Sequence, residues 1–160
     1  MHNGLQSEDV LGVVWSYSLI PFGGLVFASN RIMGTTVPPP WSGFTSTYLG
    51  PTSHATDEQR RHALELASKI IEKKELDLLK ESIEKMSYRA PGLFSRGHII
   101  FQTSEEDIVV RIKNRQDGGV PRTLNGLIPS LVAFAADRFY DEKTGIPVST
   151  EIAKTGKFPK

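Results

Sequence analysis

Cysteine is absent from this chain of 160 residues. Disulfide bonds, thiolate metal sites and cysteine nucleophiles are therefore excluded. The absence also fits the reducing interior of a cell. Residues 1–9 carry two acidic side chains and no lysine or arginine, so the basic start of a secretory signal is missing. We expect an intracellular, cytoplasmic protein.

Neither sign of charge is in excess, since 19 basic residues stand against 18 acidic ones. A domain built around nucleic-acid phosphates usually has a clear positive excess, so nucleic acid is a disfavoured partner. Charged residues make up 23% of the chain and hydrophobic residues 39%, as in an ordinary globular domain. The length fits one domain better than two.

The sequence also lacks the motifs that identify catalytic and nucleotide-binding sites. It contains no H-E-x-x-H, no Walker-type phosphate loop, no dinucleotide-binding glycine pattern after a strand and no nucleophile elbow around Ser95. The four histidines form no i,i+3 or i,i+4 pair, and we predict neither a metal site nor a cofactor. His98 is a weak catalytic candidate, because Ser95-Arg96-Gly97-His98 leads from a loop into a predicted strand. The sequence does not favour an enzyme.

Charge is scarce in the first third of the chain. Residues 1–56 hold three charged side chains and residues 10–30 hold none, a stretch about long enough to span a bilayer. However, Pro21-Phe22-Gly23-Gly24 interrupts this stretch, and β-branched and aromatic residues dominate on both sides. We therefore predict a β-hairpin, with strands over residues 11–20 and 25–33, rather than a membrane span.

The rest of the chain contains signals for helices and for a second hairpin. Residues 34–55 form a connector rich in proline, glycine, serine and threonine. Thr56-Asp57-Glu58-Gln59 predicts a helix start, and a long or broken helix follows over residues 57–86, since its apolar stripe changes face at residues 72–75. Alternating apolar residues predict strands over 98–102 and 108–113. A helix that is apolar nearly all round is predicted over 127–142, before an extended tail over 146–160.

This order of elements predicts a single α+β domain over residues 1–145. The two hairpins would form an antiparallel sheet of about four or five strands. A long or broken helix and an apolar C-terminal helix would pack against that sheet.

Three groups of residues are candidates for binding. An apolar pocket between sheet and helix would be lined by Trp15, Tyr17, Trp41 and Phe134. Cationic residues on and beside the last predicted strand would bind an anion through Arg96, Arg111, Lys113 and Arg115. The apolar helix must be covered, either as core or as a subunit interface, through Leu127, Leu131, Phe134 and Phe139.

From these features we expect a non-catalytic protein-interaction or structural module that is oligomeric or part of a complex. A protein partner or a second copy of the chain is favoured, and a membrane is disfavoured. One alternative is a small-molecule-binding protein or small enzyme that uses the apolar pocket. Another is a small RNA-directed enzyme that uses His98 and the nearby arginines.

Overall fold

The computed structural model describes residues 9–16, 24–35, 44–90, 92–112 and 120–155. These residues form two β-sheets and three helices, which confirms the predicted α+β class. The segment between the first two strands, residues 36–43 of the proline-rich connector and the last five residues lie outside the described part. No helix among the described residues is long and apolar enough to cross a membrane.

The first sheet has five strands, and each neighbouring pair is antiparallel. In chain order they are β1 Val10–Ser16, β2 Gly24–Ala28, β3 Arg31–Gly34, β4 Phe44–Tyr48 and β5 Leu76–Leu79. In the sheet their order is β4-β1-β2-β3-β5. The pairing of β1 with β2 confirms the predicted N-terminal hairpin, although residues 17–20 of its first predicted strand lie outside the described residues. The single strand predicted over residues 25–33 is wrong, because the chain bends at Ser29-Asn30 and β3 pairs back on β2. The strand β4 comes from the region predicted to be a connector.

The uncharged character of β1 and β2 arises because both faces of the first sheet are covered. Val13 and Val26 pack against α1 (Asp57–Glu72) on the outer face. Val14 and Phe27 lie on the inner face, in a core shared with the second sheet and with the helix that follows it. A strand buried on both faces contains a continuous apolar run, which explains the resemblance to a membrane span.

The helix α1 begins at the predicted position. The Thr56 hydroxyl accepts a hydrogen bond from the Gln59 N–H, and the Gln59 side chain accepts one from the Thr56 N–H, so both halves of a capping box are present. The helix ends at Glu72, however, and its predicted continuation to residue 86 is wrong. Residues Leu76–Leu79 pair with β3, and residues Ile83–Arg89 open the second sheet.

The second sheet has the strand order β8-β7-β6-β9. Its strands are β6 Ile83–Arg89, β7 Gly97–Thr103, β8 Asp107–Ile112 and β9 Phe139–Asp141. The antiparallel pair β7 and β8 confirms the second predicted hairpin, and β9 runs parallel to β6. A short 3-10 turn at Lys80–Ser82 carries the chain directly from β5 into β6.

The last third of the chain differs from its prediction at both ends. The helix α2 spans Val120–Ala135, so it begins before the predicted residue 127, with Pro121 in its first turn, where a missing N–H is tolerated. After Ala135 the chain leaves the helix and forms β9, because Arg138 donates hydrogen bonds to the carbonyls of Lys80 and Ile83 at 2.7 and 3.2 Å. The tail predicted as extended contains a third helix, α3 Val148–Thr155, whose first residue is buried in the inner core.

Candidate functional site

The loop that joins β6 to β7 carries the two most exposed of the large apolar side chains that the structure describes. Leu93 is 56% exposed and Phe94 is 75% exposed. The Gly92 N–H donates a hydrogen bond to the Ser95 carbonyl at 2.9 Å, which closes the loop below these two residues. Leu93 and Phe94 therefore occupy the tip of a hairpin whose base is a paired antiparallel ladder.

The turn after β9 reaches the same end of the second sheet, because β9 is parallel to β6. Buried Asp141 organises this turn: its carboxylate accepts the Lys143 N–H at 2.9 Å, and its carbonyl accepts the Gly145 N–H at 2.8 Å. Gly145 has a φ of +74°, a left-handed conformation that favours glycine. The turn leaves the Ile146 side chain 38% exposed.

Cationic side chains share this end of the sheet with the apolar ones. Arg89 closes β6, Arg96 precedes β7 and Lys143 lies in the turn after β9, and all three are exposed. The Glu142 carboxylate also lies here, and it accepts a hydrogen bond from His98 Nε2. We use the name loop end for Leu93, Phe94, Ile146, Arg89, Arg96 and Lys143.

The opposite end of the second sheet is acidic. Glu105, Glu106 and Asp107 are exposed in and beside the turn between β7 and β8, which we call the acidic turn. The Thr103 hydroxyl holds it by accepting the Glu106 N–H at 3.0 Å. The seven residues of β7 separate the acidic turn from the loop end by about 20 Å. The turns at the two ends of β7 therefore differ in charge.

The chain matches no family model, no curated protein and no solved structure. Its possible chemistry is therefore judged from its own residues. Among the described residues, no group of three histidine, aspartate or glutamate side chains is arranged to hold a metal ion.

His98, the weak catalytic candidate, lies at the start of β7 with Glu142 as its hydrogen-bond partner. Its backbone position is opposite Arg89 on one neighbouring strand and opposite Arg111 on the other. Asp107 pairs with Gln102 at the far end of the sheet, so Ser95, His98 and Asp107 are not brought together as a triad. The His98–Glu142 hydrogen bond crosses β6 and ties the turn after β9 to β7.

The predicted anion site is only partly described. Arg96 is exposed at the loop end, and the backbone of Arg111 pairs with that of His98. Lys113 and Arg115 lie outside the described residues. By strand register, the backbones of Arg89 and Arg111 lie on opposite sides of His98, with β7 between them.

The residues predicted to line an apolar pocket are not gathered at one place. Trp15 lies on the outer face of the first sheet, with its ring edge-on to His62 of α1 at 5.8 Å between centroids. Phe134 lies in the inner core beside Phe27. Tyr17 and Trp41 fall outside the described residues. The first sheet thus separates Trp15 from Phe134.

The residues predicted as an interface are buried inside this chain. Leu127, Leu131, Phe134 and Phe139 are each at most 2% exposed and belong to the inner core. A partner would reach them only if α2 left the sheets. Among the two roles considered for the apolar helix, the described contacts are those of a core helix.

The loop end was not identified from the sequence, although a signal for it exists. Leu93 and Phe94 follow Pro91-Gly92, a strong turn pair, and stand between Arg89 and Arg96. Bulky apolar residues inside a turn are candidates for exposure, because turns lie at the surface. That pattern predicts an exposed apolar turn.

Proposed function

We propose that this chain is a non-catalytic interaction module that binds a partner surface through the loop end. The observation that carries the proposal is the exposure of Leu93 and Phe94 at the tip of a closed hairpin. Of the four large apolar side chains that are exposed among the described residues, three belong to the loop end. Exposed apolar side chains that occur together, as the neighbours Leu93 and Phe94 do, rather than singly, mark interaction sites.

The apolar side chains alone are too small a surface to hold a partner. Covering the exposed parts of Leu93 and Phe94 is worth about 1–2 kcal/mol each. Association of two molecules costs about 4–15 kcal/mol in lost freedom of motion. The remaining attraction must come from Arg89, Arg96 and Lys143, so the partner surface is negatively charged.

A second copy of this chain does not fit that requirement at the loop end. Two loop ends brought together would oppose arginine and lysine side chains of the same sign, and like charges repel at contact distance. The buried state of Leu127 and Leu131 gives no support to self-association through α2. The acidic turn of a second copy has the required charge, but none of the exposed large apolar side chains that the structure describes lies there to meet Leu93 and Phe94. We therefore propose a different molecule as the partner.

The proposal gives His98 a positioning role rather than a catalytic one. Its hydrogen bond to Glu142 fixes the turn that presents Ile146 and Lys143. The Glu142 side chain is itself 38% exposed, beside the three exposed cations Arg89, Arg96 and Lys143, so the loop end keeps a positive excess.

Photo-crosslinking in intact cells that produce the protein tests this proposal. A benzophenone amino acid replaces Phe94 in one variant, Leu79 in a second and Glu105 in a third. Leu79 is a matched control because it is an exposed leucine, 46% accessible, on the first sheet. We expect discrete adducts from position 94, with protein or lipid, and only background from the two controls. Adducts of equal yield and pattern at all three positions would overturn the proposal.

A further inference from the structure

We infer that the partner surface is an anionic lipid bilayer, on which the loop end docks peripherally. This inference rests on the proposed function and specifies its partner. Docking of this kind requires no membrane-spanning segment. It requires a few apolar side chains that reach below the headgroups and cations that remain among them.

The shape of the loop end favours a bilayer over a protein. Leu93 and Phe94 project from a two-residue tip, so the surface that they offer is convex. A protein partner would need a recess that matches this tip. A bilayer interface opens around any convex apolar group, and aromatic and aliphatic side chains bind there.

The positions of the cations match the depth at which phosphate groups lie. Arg89 ends β6 and Arg96 immediately precedes β7, so the two arginines lie just behind the tip, one on each side of the loop. With Leu93 and Phe94 below the headgroups, these guanidinium groups are placed at headgroup level. Arginine there donates charge-assisted, forked hydrogen bonds to phosphate oxygens.

The acidic turn does not oppose this docking, because it lies too far from the surface. It is about 20 Å from the loop end along β7, whereas charges are largely screened beyond about 8 Å at physiological salt. An anionic surface therefore attracts one end of the second sheet and has little effect on the other. The different charges of the two turns also orient the molecule, with β7 roughly perpendicular to the membrane plane.

Flotation with lipid vesicles tests the inference on the full chain. One vesicle population is phosphatidylcholine alone, and the other is phosphatidylcholine and phosphatidylserine in equal parts. We expect the wild type to float with the anionic vesicles and to float much less with the neutral ones. Higher salt should weaken the binding, since part of it is electrostatic.

Two sets of variants locate the binding surface. Leu93→Ser and Phe94→Ser should each weaken binding to anionic vesicles about tenfold, because the membrane contact of that side chain is lost. Arg89→Gln and Arg96→Gln should each weaken it about fivefold and reduce its salt dependence. Each substitution is at an exposed position, so the urea midpoint should change little.

Matched controls separate the loop end from the rest of the surface. Leu79→Ser removes an exposed leucine elsewhere, and the pair Glu105→Gln and Glu106→Gln changes two charges at the acidic turn. Both controls should bind the anionic vesicles as the wild type does. Controls that lose binding as strongly as the loop-end variants would overturn the assignment to this surface.

The lipid inference and the proposed function can be refuted independently of each other. A wild type that floats with neither vesicle population overturns the lipid inference. If position 94 then still forms discrete protein adducts in cells, the interaction module stands and its partner is a protein. A wild type that floats equally with both populations overturns the role of the arginines.

Discussion

Replacing Gly12 by alanine should push α2 slightly away from the first sheet and lower the stability of the protein. Gly12 lies in β1, and the buried side chain of Ser130 on α2 occupies the space beside it. A Cβ atom at position 12 would lie 1.9 Å from the Ser130 Oγ and 2.7 Å from the Ser130 Cβ. The hydroxyl can rotate, but the Cβ is fixed to the helix backbone.

The expected cost follows from the second of these distances. Ordinary van der Waals contact begins at 3.4 Å, so α2 must retreat from β1 by about 0.7 Å. Overpacking of this kind costs about 1–3 kcal/mol. For a chain of this length the melting temperature should fall by roughly 3–10 °C.

A double-mutant cycle measured by urea denaturation tests this reasoning. Ser130→Gly removes both atoms that the new methyl group would meet, at its own cost of about 1 kcal/mol for glycine in a helix. In that background Gly12→Ala should cost less than about 0.5 kcal/mol, which gives a coupling of about 0.5 kcal/mol or more. An equal cost in both backgrounds would refute the close packing of α2 on β1.

Two further substitutions test contacts that fix the path of the chain. Thr56→Ala removes one half of the capping box of α1 and should lower the free energy of unfolding, measured by urea titration, by about 1 kcal/mol. Thr56→Ser keeps the accepting hydroxyl, so its free energy of unfolding should stay close to that of the wild type. Arg138→Ala removes two hydrogen bonds to the carbonyls of Lys80 and Ile83 and should lower the stability measured by thermal denaturation by about 1–3 kcal/mol. The control Lys154→Ala changes an exposed residue on α3 and should leave the stability almost unchanged. A cost for Arg138→Ala no larger than that of Lys154→Ala would contradict the role assigned to this arginine.

The sequence predicted the elements whose signals are local. The capping box of α1 requires only two residues, Thr56 and Gln59, and both act as expected. The hairpin formed by β7 and β8 follows from simple alternation around a polar turn. Helix caps and hairpin turns can be predicted from sequence because they depend on residues that are neighbours in the chain.

The strand β6 was mistaken for helix because a bulge hides its alternation. The pairing register shifts between Ile83 and Lys85, so Glu84 is an extra residue. Ile83 and Met86 consequently both face the core at a spacing of three, which is a helical spacing. A bulge is decided by the partner strand, so the single sequence did not reveal it.

The candidate site was predicted only in its charges. The sequence identifies Arg96, which belongs to the loop end, as a binding candidate. It does not identify Leu93 and Phe94, which are the most exposed apolar residues there. An apolar residue in a turn is either tucked into the core or left in water, and the rest of the fold determines which. Ile146 joins the same end only because β9 pairs with β6, a contact between distant parts of the chain.

A long segment of the chain leaves the first sheet after β3 and re-enters it at β5, at the same place in the sheet. Gly34 is paired with Leu76, and the Glu75 N–H donates to the Gly34 carbonyl at 2.8 Å, so residues 35–75 begin and end side by side. In topological terms this segment, with β4 and α1, is an insertion into a hairpin of β3 and β5. Its length can vary without rerouting the remaining chain. One closed segment therefore supplies both the edge strand β4, which also packs against α2, and the helix α1 on the outer face.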